Sequence, residues 1–204
     1  MDLLSELNYD IFRMVNDLGK QVTYLNDVVA FIAEYMVFFL ALSVIIFWFT
    51  RKRQNRMMVI CALTAFVISE VIGKIVGMLY SHHQPFAELS NVNQLIEHEV
   101  DNSFPSDHTI LFFSVCLTFW LFKKKHGFLW ILLAFCVGLS RIWVGVHYPV
   151  DIIVAAVIGS TLSIIVYQVI PRLIIVRKLL EAYEKVEQSL LPTKTKSKTK
   201  SNDF

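Results

Sequence analysis

Paired cysteines are absent from this 204-residue chain: its three, Cys61, Cys116 and Cys136, each sit inside an apolar block, without the spacing that a disulfide framework or a thiolate metal site needs. They carry no information about redox compartment. A large net charge is missing as well. The formal balance is only +2, which excludes a molecule-wide field suited to nucleic acid; Lys and Arg fall instead in short clusters between apolar blocks. The opening stretch M-D-L-L-S-E-L-N-Y-D-I-F-R-M-V-N-D-L-G-K carries acids throughout and lacks the apolar core of a signal peptide, so no cleaved targeting sequence is expected. Residues 81–105 contain no Lys or Arg at all.

What the chain has is grease in long blocks. Hydrophobic residues make up 55% of it, with 16 Phe, and the mean hydropathy is +0.55. That is the composition of a membrane protein. Crossing a bilayer's hydrocarbon takes about 20 apolar residues as a helix. Five blocks come near that length: residues 28–50, 57–80, 109–122, 127–146 and 150–171. The third is short, at about 14 residues, unless its helix starts near Ser106 and gains a turn. Ahead of the first block, Leu3, Leu4, Leu7, Ile11, Phe12 and Val15 recur at helical spacing among acids and amides, which predicts an amphipathic interfacial helix. The expected fold is therefore all-α: a polytopic membrane helix bundle of about five transmembrane helices plus this N-terminal helix, forming one domain over residues 1–191. Residues 192–204, P-T-K-T-K-S-K-T-K-S-N-D-F, are basic and polar and read as a disordered tail.

The basic clusters set the topology. R-K-R-Q-N-R, K-K-K-H and the segment after Arg172 should be cytoplasmic, which places residues 81–105 and the 141–151 region outside. The polar residues of interest then share one face. Pro105 stops what precedes it, and Ser106 or Asp107 can cap the helix that follows, with His108 in its first turn. Such a helix start, with free N–H groups and the positive dipole end, favours a phosphate. In S-R-I-W-V-G-V-H-Y-P-V-D, His147 and Asp151 are four apart and meet if Pro149 begins a helix. Asp151 then accepts from one imidazole nitrogen and leaves the other as nucleophile or base. Arg141 adds a fork of donors for a phosphoryl group at a membrane boundary, where an unpaired charge is costly. Taken singly, Arg141 is also compatible with an interfacial anchor, and His147 with Asp151 with a helix cap; together with P-S-D-H upstream they point to chemistry.

These motifs resemble those of the type 2 phosphatidic acid phosphatase superfamily: F-P-S-D-H stands for its P-S-G-H, and S-R-I-W-V-G-V-H-Y-P-V-D for its S-R-x5-H-x3-D. The short chain, five-span layout and Q-P-F leading through a loop to S-F-P-S-D-H look most like the bacterial undecaprenyl pyrophosphate phosphatases of the bacitracin-resistance type. The resemblance spans roughly residues 57–171. It implies an integral membrane hydrolase of lipid pyrophosphate that recycles the cell-wall carrier at the outer face of the plasma membrane. It further implies a mechanism without metal or other cofactor: His147 attacks phosphorus, Asp151 orients it, His108 protonates the leaving oxygen, and Arg141, Ser106 and the N–H groups of the 106–108 turn bind the phosphoryl oxygens. The partners implied are the lipid substrate and membrane lipids, with no nucleic acid.

The first motif departs from the family's K-x6-R-P. Pro85 keeps the proline, but Gln84 stands in the arginine's place and Gly77 in the lysine's register. The nearest lysine, Lys74, lies about one turn deeper and can snorkel outward; Glu70, four residues before it, is an alternative partner within the membrane. Lys74 and Gln84 are thus expected to substitute for the missing cations at the phosphate. Asp107 occupies the usual glycine and reads as a capping carboxylate at the phosphate-binding turn. His82, His83 and His98, with Glu97, Glu99 and Asp101, read as a solvated loop rather than a metal site. Trp143 and Tyr148 read as interfacial belt residues.

Overall fold

The computed structural model describes residues 3–124 and 127–190; the basic tail lies outside the described residues. Every regular element among them is helical: α1 (Leu3–Gln21), α2 (Asn26–Phe49), α3 (Arg53–Leu79), the short α4 (Pro85–Glu88), α5 (Asp107–Lys123), α6 (Phe128–Trp143), α7 (Pro149–Val169) and α8 (Ile174–Leu190). Three helices, Thr23–Phe49, Arg53–Leu79 and Pro149–Arg172, are long and apolar enough to cross a membrane; α6 is apolar but shorter. The five expected spans correspond to α2, α3, α5, α6 and α7. Large apolar side chains on the outside of the bundle, such as Phe38, Phe49, Val67, Leu132 and Ile153, are more than half exposed, a surface that only lipid makes favourable.

The short third span is the centre of the bundle. α5 packs on α3, α6 and α7, and Phe112, Val115, Cys116 and Phe119 on it have almost no accessible surface. Two stripes of small residues let its neighbours approach this closely. On α3, Ala62, Ala65, Ser69, Gly73 and Gly77 are buried; on α7, Ala155, Gly159 and Ser163 are. A Cβ at Gly77 would lie 2.6 Å from the carbonyl oxygen of Phe104, and one at Gly159 would lie 3.1 Å from that of Ile110. Between apolar helices in lipid, close backbone approach replaces hydrophobic drive as the source of association. Ser163 Oγ adds an interhelical hydrogen bond to Ser114 O at 2.8 Å.

α6 stops at Trp143, three residues before its apolar block ends, because residues 144–148 form a turn around Gly145 at φ +85°. A side chain there would be strained and would also meet Val92 Cγ1 at 2.7 Å. α1 is amphipathic as expected but does more than lie at an interface. Its exposed stripe, Leu3, Leu7, Ile11 and Met14, faces away from the bundle, while Phe12 is fully buried against Ile142 and Tyr148. Asn16, also fully buried, donates to Asn93 O at 3.0 Å and to Trp143 O at 2.8 Å.

That docking organises the long connection between α3 and α5. Arg13 donates to Ser90 O at 2.7 Å and Asn91 O at 3.1 Å, and Lys20 donates to Asn91 O at 2.6 Å. Leu95, Ile96 and Phe86 of the connection pack on Val144 and Val146 of the α6–α7 turn. The segment is thus a fitted cover over that turn, with its apolar side chains inward and His83, Glu97, Glu99 and Asp101 exposed, as expected of a solvated loop. At the opposite end of the bundle Arg56, from the basic cluster read for topology alone, is 1% exposed. Its guanidinium binds Glu187 at 2.5 Å, lies 3.6 Å from Glu184 and sits over the Tyr183 ring at 5.0 Å. It clamps α8 to the base of α3.

Candidate active site

Three pieces of chain converge beneath the cover: the α6–α7 turn, the α5 N-terminus and the end of the α3–α5 connection. Pro149 at the first position of α7 fixes where that helix starts. Asp151, on its first turn, folds back so that Oδ2 accepts the Tyr148 N–H at 2.8 Å. The same oxygen lies 3.5 Å from His147 Nδ1, so the i, i+4 pair expected from spacing is present. A serine mediates it. Ser103 Oγ donates to Asp151 Oδ2 at 2.7 Å and stands 3.1 Å from His147 Nδ1. With the serine proton directed at the carboxylate, Nδ1–H donates to Ser103 Oγ, and Nε2 is the nitrogen left with a free lone pair.

Asp151 and Ser103 have no accessible surface and His147 is 6% exposed. Burial holds the His147 imidazole below its ordinary basicity, against the opposing hydrogen bond and charge of Asp151; Arg141 and His98 lower it further. A neutral imidazole with its far nitrogen engaged is the form a nucleophile requires.

On its other oxygen Asp151 meets His82: Nε2 lies 3.0 Å from Oδ1, off the line of a good hydrogen bond. Ser103 and His82 are site residues that spacing arguments missed. Ser103 opens S-F-P-S-D-H, three residues before the motif serine, and its polarity beside an aromatic–proline pair was the available signal. His82 offered none, since a histidine in a loop has no periodicity to betray its contacts.

Arg141 is 2% exposed on the last turn of α6. Nη1 donates to Ala33 O at 3.2 Å, anchoring the side chain to α2, while Nε is buried without a partner. Ser106 occupies the N-cap of α5, yet its side chain makes no capping bond; Oγ accepts from Thr109 Oγ1 at 3.1 Å. Its own N–H points to Asp151 O at 3.4 Å, so the donors the turn can offer an anion are those of Asp107 and His108. His108 is half-buried in that first turn and within electrostatic reach of Arg141, His147 and His98. His98 stacks edge-on 6.4 Å from the His147 ring, so the cover places a second imidazole at the site.

Three sequence-based expectations change. Gln84 is fully buried and both ends of its amide bind Asp101: Nε2 donates to Oδ1, and Oε1 accepts the Asp101 N–H at 3.1 Å. It braces the cover, and both of its amide contacts go to Asp101 rather than to the phosphate-binding turn. Lys74 is 68% exposed and lies 3.9 Å from Glu70 Oε1. With exposed Asp107 and with Gly73, Gly77 and Asn102 it lines a groove of about 300 Å3 beside the α5 start, whose lining includes none of His147, His108 and Arg141. Tyr148 is 2% exposed, with its hydroxyl on Glu88 Oε2 at 3.1 Å, and Trp143 Nε1 donates to Asn26 Oδ1 at 2.9 Å. Tyr148 is thus packed into the site rather than set in a belt, while half-buried Trp143 ties the end of α6 to the start of α2.

Among the described residues no group of three or more His, Cys, Asp and Glu is arranged to hold a metal ion. A histidine backed by a carboxylate, a buried guanidinium and a helix N-terminus around one point can instead bind a phosphoryl group and transfer it to nitrogen. The PAP2 superfamily pattern matches residues 58–175, the stretch that contains every one of these groups. The chain belongs to the PAP2 superfamily. Over 98% of its length and of the relative's it is 56% identical to the bacitracin transport permease protein BcrC of Bacillus licheniformis. It is 33% identical to the undecaprenyl-diphosphatase BcrC of Bacillus subtilis, over 75% of this chain and 81% of that one. Among solved structures, Aquifex aeolicus LpxE superposes with a TM-score of 0.61 at 27% identity, covering 79% of this chain and 95% of its own. A PAP2-type phosphatidylglycerolphosphate phosphatase of Bacillus subtilis shares the fold with a TM-score of 0.60 at 17% identity, over 81% and 85% of the two chains.

Proposed function

We propose that this PAP2 enzyme hydrolyses undecaprenyl pyrophosphate to undecaprenyl phosphate and phosphate at the outer face of a bacterial plasma membrane, recycling the cell-wall lipid carrier and so giving bacitracin resistance. The observation that carries the chemistry is His147 with Nδ1 tied to Ser103 and Asp151, which leaves Nε2 as a neutral nucleophile. In the first step Nε2 bonds to the terminal phosphorus as the anhydride P–O bond breaks, and His108 gives its proton to the departing lipid phosphate. In the second, water attacks the phosphohistidine and gives a proton back to His108, the N–P bond breaks, and phosphate leaves. Arg141, Ser106 and the N–H groups of Asp107 and His108 hold the equatorial oxygens throughout.

The substrate rests on the relatives' names. A transporter would need the cations of this site but has no use for an imidazole held by a buried serine–carboxylate pair. Purified protein offered a polyprenyl pyrophosphate, phosphatidylglycerol phosphate, phosphatidate and diacylglycerol pyrophosphate is expected to turn over the polyprenyl substrate fastest; a higher kcat/KM for phosphatidylglycerol phosphate overturns the choice of substrate. The outward-facing site rests on the basic clusters at the opposite end of the bundle. In a background without native cysteines, a membrane-impermeant thiol reagent applied to intact cells should label a cysteine at exposed Glu97 and spare one at exposed Gln54. The reverse pattern places the site in the cytoplasm.

A further inference from the structure

Asp151 has a buried carboxylate, yet its acknowledged partner, His147, must be neutral when it attacks. Ser103 and the Tyr148 N–H both serve Oδ2; Oδ1 has only His82. A buried carboxylate left without a cation is costly, and here an anionic pyrophosphate must also enter beside it. Arg141 and Lys74 do not relieve Asp151, being anchored on Ala33 O and near Glu70. The first motif's arginine position holds Gln84, which is uncharged and bonded to Asp101.

We propose that His82 is a positioning residue of the phosphoryl-transfer site: its protonated imidazole holds Asp151 from the Oδ1 side and offsets the carboxylate's charge, so that Oδ2 stays on Ser103 and His147 while an anionic substrate binds. This rests on the phosphatase reading given above. The ring is fixed by its backbone and its neighbours, with Nδ1 buried and without a partner among the described residues. His82 O accepts the Ser103 N–H at 2.9 Å and His82 N donates to Asn102 Oδ1 at 3.3 Å, so its backbone is joined to the strand of chain that carries Ser103. Tyr80, Phe104 and Tyr148 surround the imidazole at centroid distances of 5.6, 5.8 and 5.3 Å. Its side chain is 16% exposed, beside a cavity of about 70 Å3 that Asn8, Tyr9 and Glu88 also line. That volume admits water and hence proton exchange.

The groups facing His82 decide its charge. They are Asp151 on α7, Glu88 on α4, Tyr148 ahead of α7, Tyr80 at the end of α3 and Tyr9 on α1. Burial disfavours the cation, but the Asp151 contact and the charges of Asp151 and Glu88 outweigh it and raise the His82 pKa. The His147 pKa is lowered. Two imidazoles on one carboxylate are thus pushed apart, which is how one site keeps a base neutral and a partner charged at the same pH. The signs give two limbs: activity rises as His147 deprotonates, below the free-imidazole range, and falls as the acid His108 and, above the free-imidazole range, His82 lose their protons. Both limbs are properties of the coupled cluster.

The test is the pH dependence of polyprenyl pyrophosphate hydrolysis by wild type, His82→Ala and His82→Gln. The wild type should show an alkaline limb. His82→Ala should lower kcat by up to about 100-fold with little change in KM, and His82→Gln, which restores a donor that does not titrate, should recover much of that rate with the alkaline limb displaced to the position set by His108 alone. A wild type flat on the alkaline side, or a His82→Gln profile that keeps the wild-type limb, overturns the proposal, and neither depends on the alanine variant folding. Hydrolysis that requires His147 but is indifferent to His82 defeats this inference alone; release that persists in His147→Ala defeats the phosphatase mechanism itself.

Discussion

His147→Ala is expected to abolish phosphate release from lipid pyrophosphate, with a loss of about 10⁴-fold or more in kcat, while the protein still extracts and migrates as the folded wild type. Removing a nucleophile deletes both steps, because among the described residues no other imidazole at the site has a nitrogen tied to both Ser103 and Asp151. The ring is 6% exposed and makes one side-chain hydrogen bond, to Ser103, so truncation leaves a small hole and a serine–aspartate pair that still satisfies itself at 2.7 Å. Substrate binding should survive, since Arg141 and the α5 N-terminus remain. A short quench of wild type with substrate labelled in the terminal phosphate should trap a protein-bound label that is lost in acid and kept in alkali, as a P–N bond behaves, and the variant should trap none. Release by His147→Ala at a tenth of the wild-type rate would sink the mechanism.

The parts of this molecule that obey a period were legible in its sequence. Apolar blocks located α2, α3, α5, α6 and α7, and the i, i+4 spacing after a proline located the His147–Asp151 pair. Where a boundary was misplaced, at the end of α6, one glycine at positive φ decided it against hydropathy. The role of α5 as the central helix was not read from its short length, although the small-residue stripes of α3 and α7 that embrace it were visible as Gly73, Gly77 and Gly159. The α3–α5 connection was opaque for a physical reason. Its shape comes from side chains binding backbone far away in the chain, Arg13 to Ser90, Asn16 to Asn93 and Asn102 to Gly77 among them, and such bonds leave no repeating signature.

That opacity hid the main departure from the family pattern. A glutamine in place of arginine looked like a weakened phosphate contact, to be made good by Lys74 at the same place. The geometry redistributes the work instead. Gln84 fastens Asp101 and so fixes the cover, Lys74 stands at the groove beside the α5 start, and the segment S-H-H-Q-P delivers an imidazole to Asp151. Positive charge at the centre of the site then comes chiefly from Arg141, which makes that residue the second point at which a single change should be decisive.

Arg141→Ala is expected to lower kcat/KM by about 10³-fold, the scale of losing a preorganised donor to a transferring phosphoryl group. Arg141→Lys should recover little of this, because a lysine at that position offers a point charge in place of a fork and cannot reach Ala33 O and a substrate oxygen together. The wild-type guanidinium is 2% exposed, bonded through Nη1 to one carbonyl, and its Nε has no partner. It is therefore a buried charge without a close ion pair among the described residues, offset only by the charges of Glu34 and Asp107, and so suited to an anion. Stability and activity should consequently separate: Arg141→Ala is expected to melt at the wild-type temperature or above, and millimolar phosphate or vanadate should raise the melting temperature of the wild type but not of the variant. A variant that loses activity and melts many degrees lower would make Arg141 a structural cation, and a lysine variant turning over near the wild-type rate would show that charge alone suffices.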